Sequence, residues 1–241
     1  IYNGCCQNRI STNANVVIND VDICVGGYAV LTATIVNGSG GGTSIWQSSP
    51  DSLTWSDIPG QNSTTYVVPT GAPHTTYYRF YTVEPPQSDC PSPVISNVAK
   101  AVVRPDPTVN VSVSNSQICV GGTTILTANI AGGSGSQIIQ WQSGASLAGP
   151  WTDISGENDT TFVFTGNTVG SFIFRVQLRD DGLGCTPQVN SNPGSTIVVR
   201  ADATVSIAIT SGGPEVCVGN NVTLTATITG PQATSCYPVT T

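Results

Sequence analysis

An all-β fold assembled from repeated sandwich units is what this sequence predicts, and three observations carry the prediction. Thr, Val, Ser, Asn and Gly dominate the 241 residues, whereas Glu, Lys, Arg and Met are scarce, which favours strands over helices. A Cys-Val-Gly turn followed by an alternating apolar run occurs three times, beginning at Cys24, Cys119 and Cys217, spacings of 95 and 98 residues. Gly and Pro, 26 and 16 residues, punctuate the chain at the short intervals of strand–turn–strand architecture. The length and 39% hydrophobic content suffice to bury one large core or two of ordinary size.

Residues 1–13 form an N-terminal arm holding the adjacent pair Cys5 and Cys6. The first unit spans 14–104. Ile23-Cys24-Val25-Gly26-Gly27 precedes the strand-like Val30 to Ile35. Trp46-Gln47-Ser48, Trp55-Ser56-Asp57-Ile58, Thr64-Thr65-Tyr66-Val67 and the alternating run Tyr78 to Val83 follow, then Cys90. The second unit, 105–201, repeats the order: Ile118-Cys119-Val120-Gly121-Gly122, Leu126-Thr127-Ala128, Trp141-Gln142-Ser143, Trp151-Thr152-Asp153-Ile154, Thr160-Thr161-Phe162-Val163, Phe172 to Leu178, and Cys185. In both units the first Trp lies 22 residues after the first cysteine, and the second cysteine 44 residues after that Trp.

About seven short strands in about 95 residues is the rhythm of an immunoglobulin-like sandwich, with strands A, B, C, C′, E, F and G. Trp46 and Trp141 fall on strand C, where a large ring fills the space between two sheets. Pro105 and Pro107 suit a short, stiff linker, which predicts an elongated array. The third unit, 202–241, is partial. Val216-Cys217-Val218-Gly219-Asn220 and Leu224-Thr225-Ala226 supply strands A and B, but the position equivalent to the strand-C Trp is 239 and the sequence given stops at Thr241. A lone strand pair leaves an apolar face and open edges in water, so residues 205–229 are expected to dock on another copy of the chain by strand addition.

Eight cysteines in a chain with one histidine and no Cys-x-x-Cys pair read as disulfides of an oxidising compartment. Two pairing schemes stand open. The equal spacing of 66 residues suggests Cys24 with Cys90 and Cys119 with Cys185. The staggered alternative joins Cys24 to Cys185, Cys90 to Cys5 or Cys6, and Cys119 to Cys236, leaving Cys217 for a second chain. It respects the placement of the two cysteine-bearing turns at opposite ends of such a sandwich, too far apart for one bond.

The pattern of Cys-Val-Gly-Gly, Leu-Thr-Ala, Trp-Gln-Ser, Trp-Ser-Asp-Ile and a late cysteine followed by Ser96-Asn97 or Ser191-Asn192 resembles the tandem Ig-like or PKD-like repeats of secreted surface proteins and gliding adhesins of Bacteroidetes. The resemblance implies a structural or adhesive module of the cell surface, exported and extracellular.

Other function classes fit poorly. A net charge of −7 with seven basic residues gives no footprint for nucleic acid, and no apolar run reaches the length of a spanning helix. The absence of methionine suggests that Ile1 follows a removed leader. His74 is the single histidine, in a turn, and Asp51, Asp57, Glu84, Asp153, Glu157 and Asp180 are scattered, so no enzyme is expected. No cofactor is expected either, although Asp20 with Asp22 and Asp180 with Asp181 offer oxygen ligands for calcium between units. The resemblance implies O-glycosylation at Ser52 and Thr160, within Asp51-Ser52-Leu53 and Asp159-Thr160-Thr161; Asn-x-Ser/Thr triplets begin at Asn37, Asn62, Asn110, Asn158 and Asn221. The alternative to a homopolymer is a carbohydrate- or protein-binding module of a larger adhesin or enzyme, with Tyr66, Tyr77 and Trp55 as its aromatic platform.

Overall fold

The computed structural model describes residues 20–35, 42–83, 93–191 and 193–230. The arm at 1–13, Cys5, Cys6, Asn37, Glu84, Cys90 and Cys236 lie outside the described residues. Every element among the described residues is a strand. The first repeat contains β1 (Val21–Cys24), β2 (Val30–Thr32), β3 (Thr43–Ser49), β4 (Ser56–Asp57), β5 (Thr65–Val67), β6 (His74–Val83), β7 (Val94–Ile95) and β8 (Ala99–Arg104). The second contains β9 (Thr108–Val113), β10 (Gln117–Cys119), β11 (Thr123–Ala131), β12 (Gln137–Gly144), β13 (Trp151–Asp153), β14 (Thr161–Thr165), β15 (Gly170–Asp180), β16 (Gln188–Asn190) and β17 (Ser195–Arg200). The last two strands are β18 (Thr204–Ser211) and β19 (Thr223–Thr229).

Both repeats build the same two sheets. In the first, β1-β8-β6-β3-β4 lie in that order with β7 on β6, opposite the pair β2-β5. In the second, β10-β17-β15-β12-β13 with β16 on β15 face β14-β11-β9. This is the all-β, tandem immunoglobulin-like arrangement expected from the strand rhythm. One feature is additional: in the second repeat strand A is divided into β9 and β10, and β10, like β1 in the first, runs parallel to the last strand of its repeat, Ile118 beside Val199 and Ile23 beside Val103. Cys24 and Cys119 therefore end strands, and the next turn needs a left-handed residue, supplied by Gly26 and Gly121 at φ 82° and 81°. Gly219 adopts the same sign at 97°.

Alternation decides what is buried. On β3 and β6 the inward set includes Trp46, Tyr78 and Phe80, which join Ile23, Leu31, Ala33, Tyr66, Ala99, Ala101 and Val103 in one cluster. Trp46 is fully buried, with its ring 5.1 Å from Phe80 and 5.8 Å from Tyr66. Its indole N–H donates to the Ser63 carbonyl at 2.8 Å, so the ring is buried with no lost hydrogen bond. Trp141 repeats the arrangement, packed 5.6 Å from Phe162 and donating to the Asp159 carbonyl at 2.9 Å.

Two compact units divide the chain. One holds Ile1–Thr108, Ala131–Gln137 and Arg179–Val189; the other holds Val109–Ile130, Ile138–Leu178 and Asn190–Thr241. Segments 131–137 and 179–189 belong to the second repeat by sequence and group with the first unit because a disulfide and a set of hydrogen bonds hold them there.

Candidate functional site

Within the first unit, Cys24 is bonded to Cys185, with Cα atoms 4.8 Å apart. Of the two pairing schemes the staggered one is realised at this bond, and Cys24 with Cys90 and Cys119 with Cys185 are both corrected. The physical reason is placement: the end of β1 and the loop after β15 meet, as the Cys24 amide donating to the Leu183 carbonyl at 2.9 Å shows. Cys119 is itself disulfide-bonded, and its partner lies outside the described residues. The bonded loops approach so closely that only glycine fits. A Cβ on Gly184 would lie 2.5 Å from Gly27 Cα, and one on Gly27 would lie 2.6 Å from the Ile23 side chain.

Asp180 organises the same cluster. It is 4% exposed, and its Oδ1 accepts from the Gly182 and Gly135 amides at 2.8 and 3.1 Å while Oδ2 accepts from Gln137 Nε2 at 3.1 Å. Burial pushes its carboxyl upward, but the hydrogen bonds from Gln137, Gly182, Gly135 and Ser134 outweigh burial and leave it below the usual carboxylate range. Asp181 accepts from the Ser136 amide and Asp106 from the Thr186 amide. N–H donors thus bond both oxygens of Asp180 and one each of Asp181 and Asp106. Asp20 accepts from the Lys100 amide and Asp22 forms a bidentate pair with Arg104 at 2.7 and 2.8 Å. No group of three or more candidate ligands gathers among the described residues. The Gly132 to Gly135 segment is a cradle for the Asp180 carboxylate.

A second arrangement, which the sequence reading missed, appears once in each repeat. Arg79 lies 4.3 Å over the Trp55 ring, its Nε donates to Gln47 Oε1 at 2.6 Å, and Gln47 Nε2 donates to Asp57 at 2.7 Å. Arg175, Trp151, Gln142 and Asp153 repeat it at 4.4, 2.7 and 2.7 Å. Each second Trp thus stacks beneath an arginine on an outer sheet face. The signal was present in Trp-Gln and in the two arginines, but a charge on an alternating strand reads as solvated until its neighbour is known. Tyr66 is only 8% exposed and leaves the proposed aromatic platform; Tyr77 and Trp55 are half-buried.

The remaining singled-out residues sit as follows. His74 opens β6, and its Nδ1–H donates to the Ala72 carbonyl at 2.9 Å. Asp51 caps its own turn, accepting from the Thr54 and Leu53 amides and from Ser49, which lowers its pKa to about 2; this places Ser52 at φ 61° and leaves Leu53 82% exposed. Thr160, Asn62, Asn110, Asn158 and Asn221 are exposed.

The third arrangement is the ribbon β18–β19. Its register places Ile209 opposite Leu224, Ile207 opposite Ala226 and Val205 opposite Ile228, so six apolar residues share one face. Thr204, Ser206, Thr223, Thr225, Thr227 and Thr229 lie on the other. The apolar face is open: Val205, Ile207, Leu224 and Ile228 are 61 to 70% exposed. The equivalent residues of the earlier repeats, Leu31 and Leu126, are 2% and 0% exposed. Cys217, in the turn joining β18 to β19, is exposed and has a free thiol.

Residues 13–105 match a family described as a domain of unknown function, DUF8696, which covers less than half of the chain. No curated protein matches the chain. The three N-terminal domains of the highly immunogenic outer capsid protein Hoc of bacteriophage RB49 are similar with a TM-score of 0.44 and 14% identity, over 92% of this chain and 71% of that one. The four N-terminal Ig domains of Dscam1 isoform 6.9 give 0.41 and 10%, over 76% of this chain and 43% of that one, so the chain spans less than half of that relative's length. Fibronectin(III)-like modules of Clostridium thermocellum CbhA give 0.30 and 14%, over 77% and 92%.

Proposed function

We propose that the chain is a non-catalytic adhesive module of the extracellular surface, which joins other copies of itself head to tail by strand addition at the 204–229 ribbon and by a disulfide at Cys217. One observation carries the reading: an amphipathic two-stranded ribbon whose apolar face matches the buried face of β11, yet is exposed, with no further strand on either edge among the described residues. Apolar area left in water costs about 25 cal/mol per Å², and an open strand edge is a template for another strand. The Cys24–Cys185 bond supports an oxidising location, and no helix among the described residues is long and apolar enough to cross a membrane. Binding through such surfaces needs no cofactor and no acid–base pair. Glycans on Ser52 and Thr160 belong to the same surface reading. The test is light scattering on the intact chain over a concentration series, with and without reductant. Mass rising with concentration and partly falling on reduction is expected; a constant monomer mass under all conditions overturns the reading.

A second reading, a module binding carbohydrate or protein, is favoured by one difference between the repeats. The outward residues of β6 are Tyr77, Arg79 and Tyr81, where β15 has Ile173, Arg175 and Gln177. Tyr77→Ala and Tyr81→Ala, assayed on a glycan array, separate it from self-association.

A further inference from the structure

An adhesive chain transmits tension along its backbone, and the covalent route through this one is short. Cys24 and Cys185 are bonded with their Cα atoms 4.8 Å apart at a sequence separation of 161. The loop that the bond closes, residues 25–184, holds every strand from β2 to β15 and with them both buried tryptophans, Trp46 and Trp141. Among the described residues only β1, β16, β17 and the β18–β19 ribbon stand outside it. β1, of four residues, and β17, of six, are already near the limit of about 3.3–3.6 Å per residue that a backbone can reach, so tension draws little length from them.

Hydrogen bonds close the same loop beside the disulfide. The Cys24 amide donates to the Leu183 carbonyl and the Gly133 amide to the Pro105 carbonyl, both at 2.9 Å, and the Thr186 amide donates to Asp106 at 3.0 Å. Such bonds contribute about 1 kcal/mol each and part under tension, whereas a covalent bond does not, so the disulfide sets the limit. We infer that the Cys24–Cys185 bond is an extension stop: a chain pulled along its length cannot lengthen by residues 25–184 until a thiol reductant cuts that bond. The 161-residue separation corresponds to roughly 55 nm of withheld backbone, and the residues outside the loop, 1–24 and 185–241, span at most about 29 nm. Further disulfides, that of Cys119 included, can only shorten the covalent route. The stop goes beyond the strand-addition reading and is independent of it, since it holds for a single chain as for an assembly.

The test pulls the full chain between handles at its two ends in optical tweezers. Chains reduced beforehand with dithiothreitol set the force at which both sandwiches unfold and reach the full backbone length. At that force the unreduced wild type is expected to stop at no more than about 29 nm, and to gain at least roughly 55 nm once dithiothreitol is added. Two electrons and two protons then pass to the bond, leaving Cys24 and Cys185 as thiols and the reagent as its cyclic disulfide. A variant carrying Cys5→Ser, Cys6→Ser, Cys90→Ser, Cys119→Ser, Cys217→Ser and Cys236→Ser keeps this one bond and should show the same stop and the same release. The covalent limit does not depend on the sandwiches being folded, so a destabilised variant still reports it. An unreduced wild type that reaches the length of the reduced chain overturns the inference. So does a six-Ser variant that lengthens fully without reductant, because the wild-type stop then belongs to other cysteines. A monomer in light scattering that still stops at this length would remove the self-association reading and leave the stop standing.

Discussion

Cys24 and Cys185 are covalently joined although 161 residues separate them, and Cys24 belongs to the first repeat of the sequence while Cys185 belongs to the second. A bond that closes so long a loop restrains the unfolded chain strongly, by about 2 to 5 kcal/mol in the chain-entropy description. Digestion without reductant should release a peptide containing both residues, and Cys24→Ser should lower stability by that amount in urea unfolding. A peptide joining Cys24 to Cys90 would contradict the structure.

Asp180 ties the same loops through N–H donors. Replacing it with Asn leaves one side of the amide facing donors it cannot accept from, at about 1 to 3 kcal/mol. Because its carboxyl is held below its ordinary value, its contribution is present above the unfolded pKa of about 3.9 and is lost as pH falls through the folded value. Unfolding measured at pH 7 and pH 3 should show a smaller loss of stability on acidification for Asp180→Asn than for the wild type.

The two tryptophans of each repeat should respond differently. Trp46→Ala or Trp141→Ala removes a fully buried ring and should cost about 3 to 5 kcal/mol. Trp151→Ala removes a half-buried ring stacked on Arg175 and should cost about 0.5 to 2 kcal/mol, as should Arg175→Ala. Thermal melts of the four variants rank them.

The repeat made much of this fold legible. Equal spacings from Cys24 to Trp46 and from Cys119 to Trp141 set the register of both sandwiches, and period-two alternation marked the strands. Facing direction was harder: Thr65-Tyr66-Val67 alternates whichever residue points inward, and Tyr66 is inside because it meets Trp46 and Tyr78 across the sheets. Disulfide pairing was open because the recurring 66-residue interval favoured bonds within each repeat while the placement of the cysteine-bearing turns favoured the staggered scheme; only the meeting of β1 with the loop after β15 decides it. Strand β10, three residues long, is too short for periodicity to reveal, and its parallel partner β17 is distant in sequence. The Arg79–Trp55 stack and the buried Asp180 escaped because composition assigns charged residues to solvent until a partner is placed beside them.

The apolar face of the β18–β19 ribbon is the adhesive surface in this account, so sedimentation velocity of the wild type beside an Ile207→Lys/Leu224→Lys variant tests it most directly. Concentration-dependent association of the wild type, and a monomer with an unchanged melting temperature for the variant, is the predicted result. Identical mass distributions for the two proteins would contradict it.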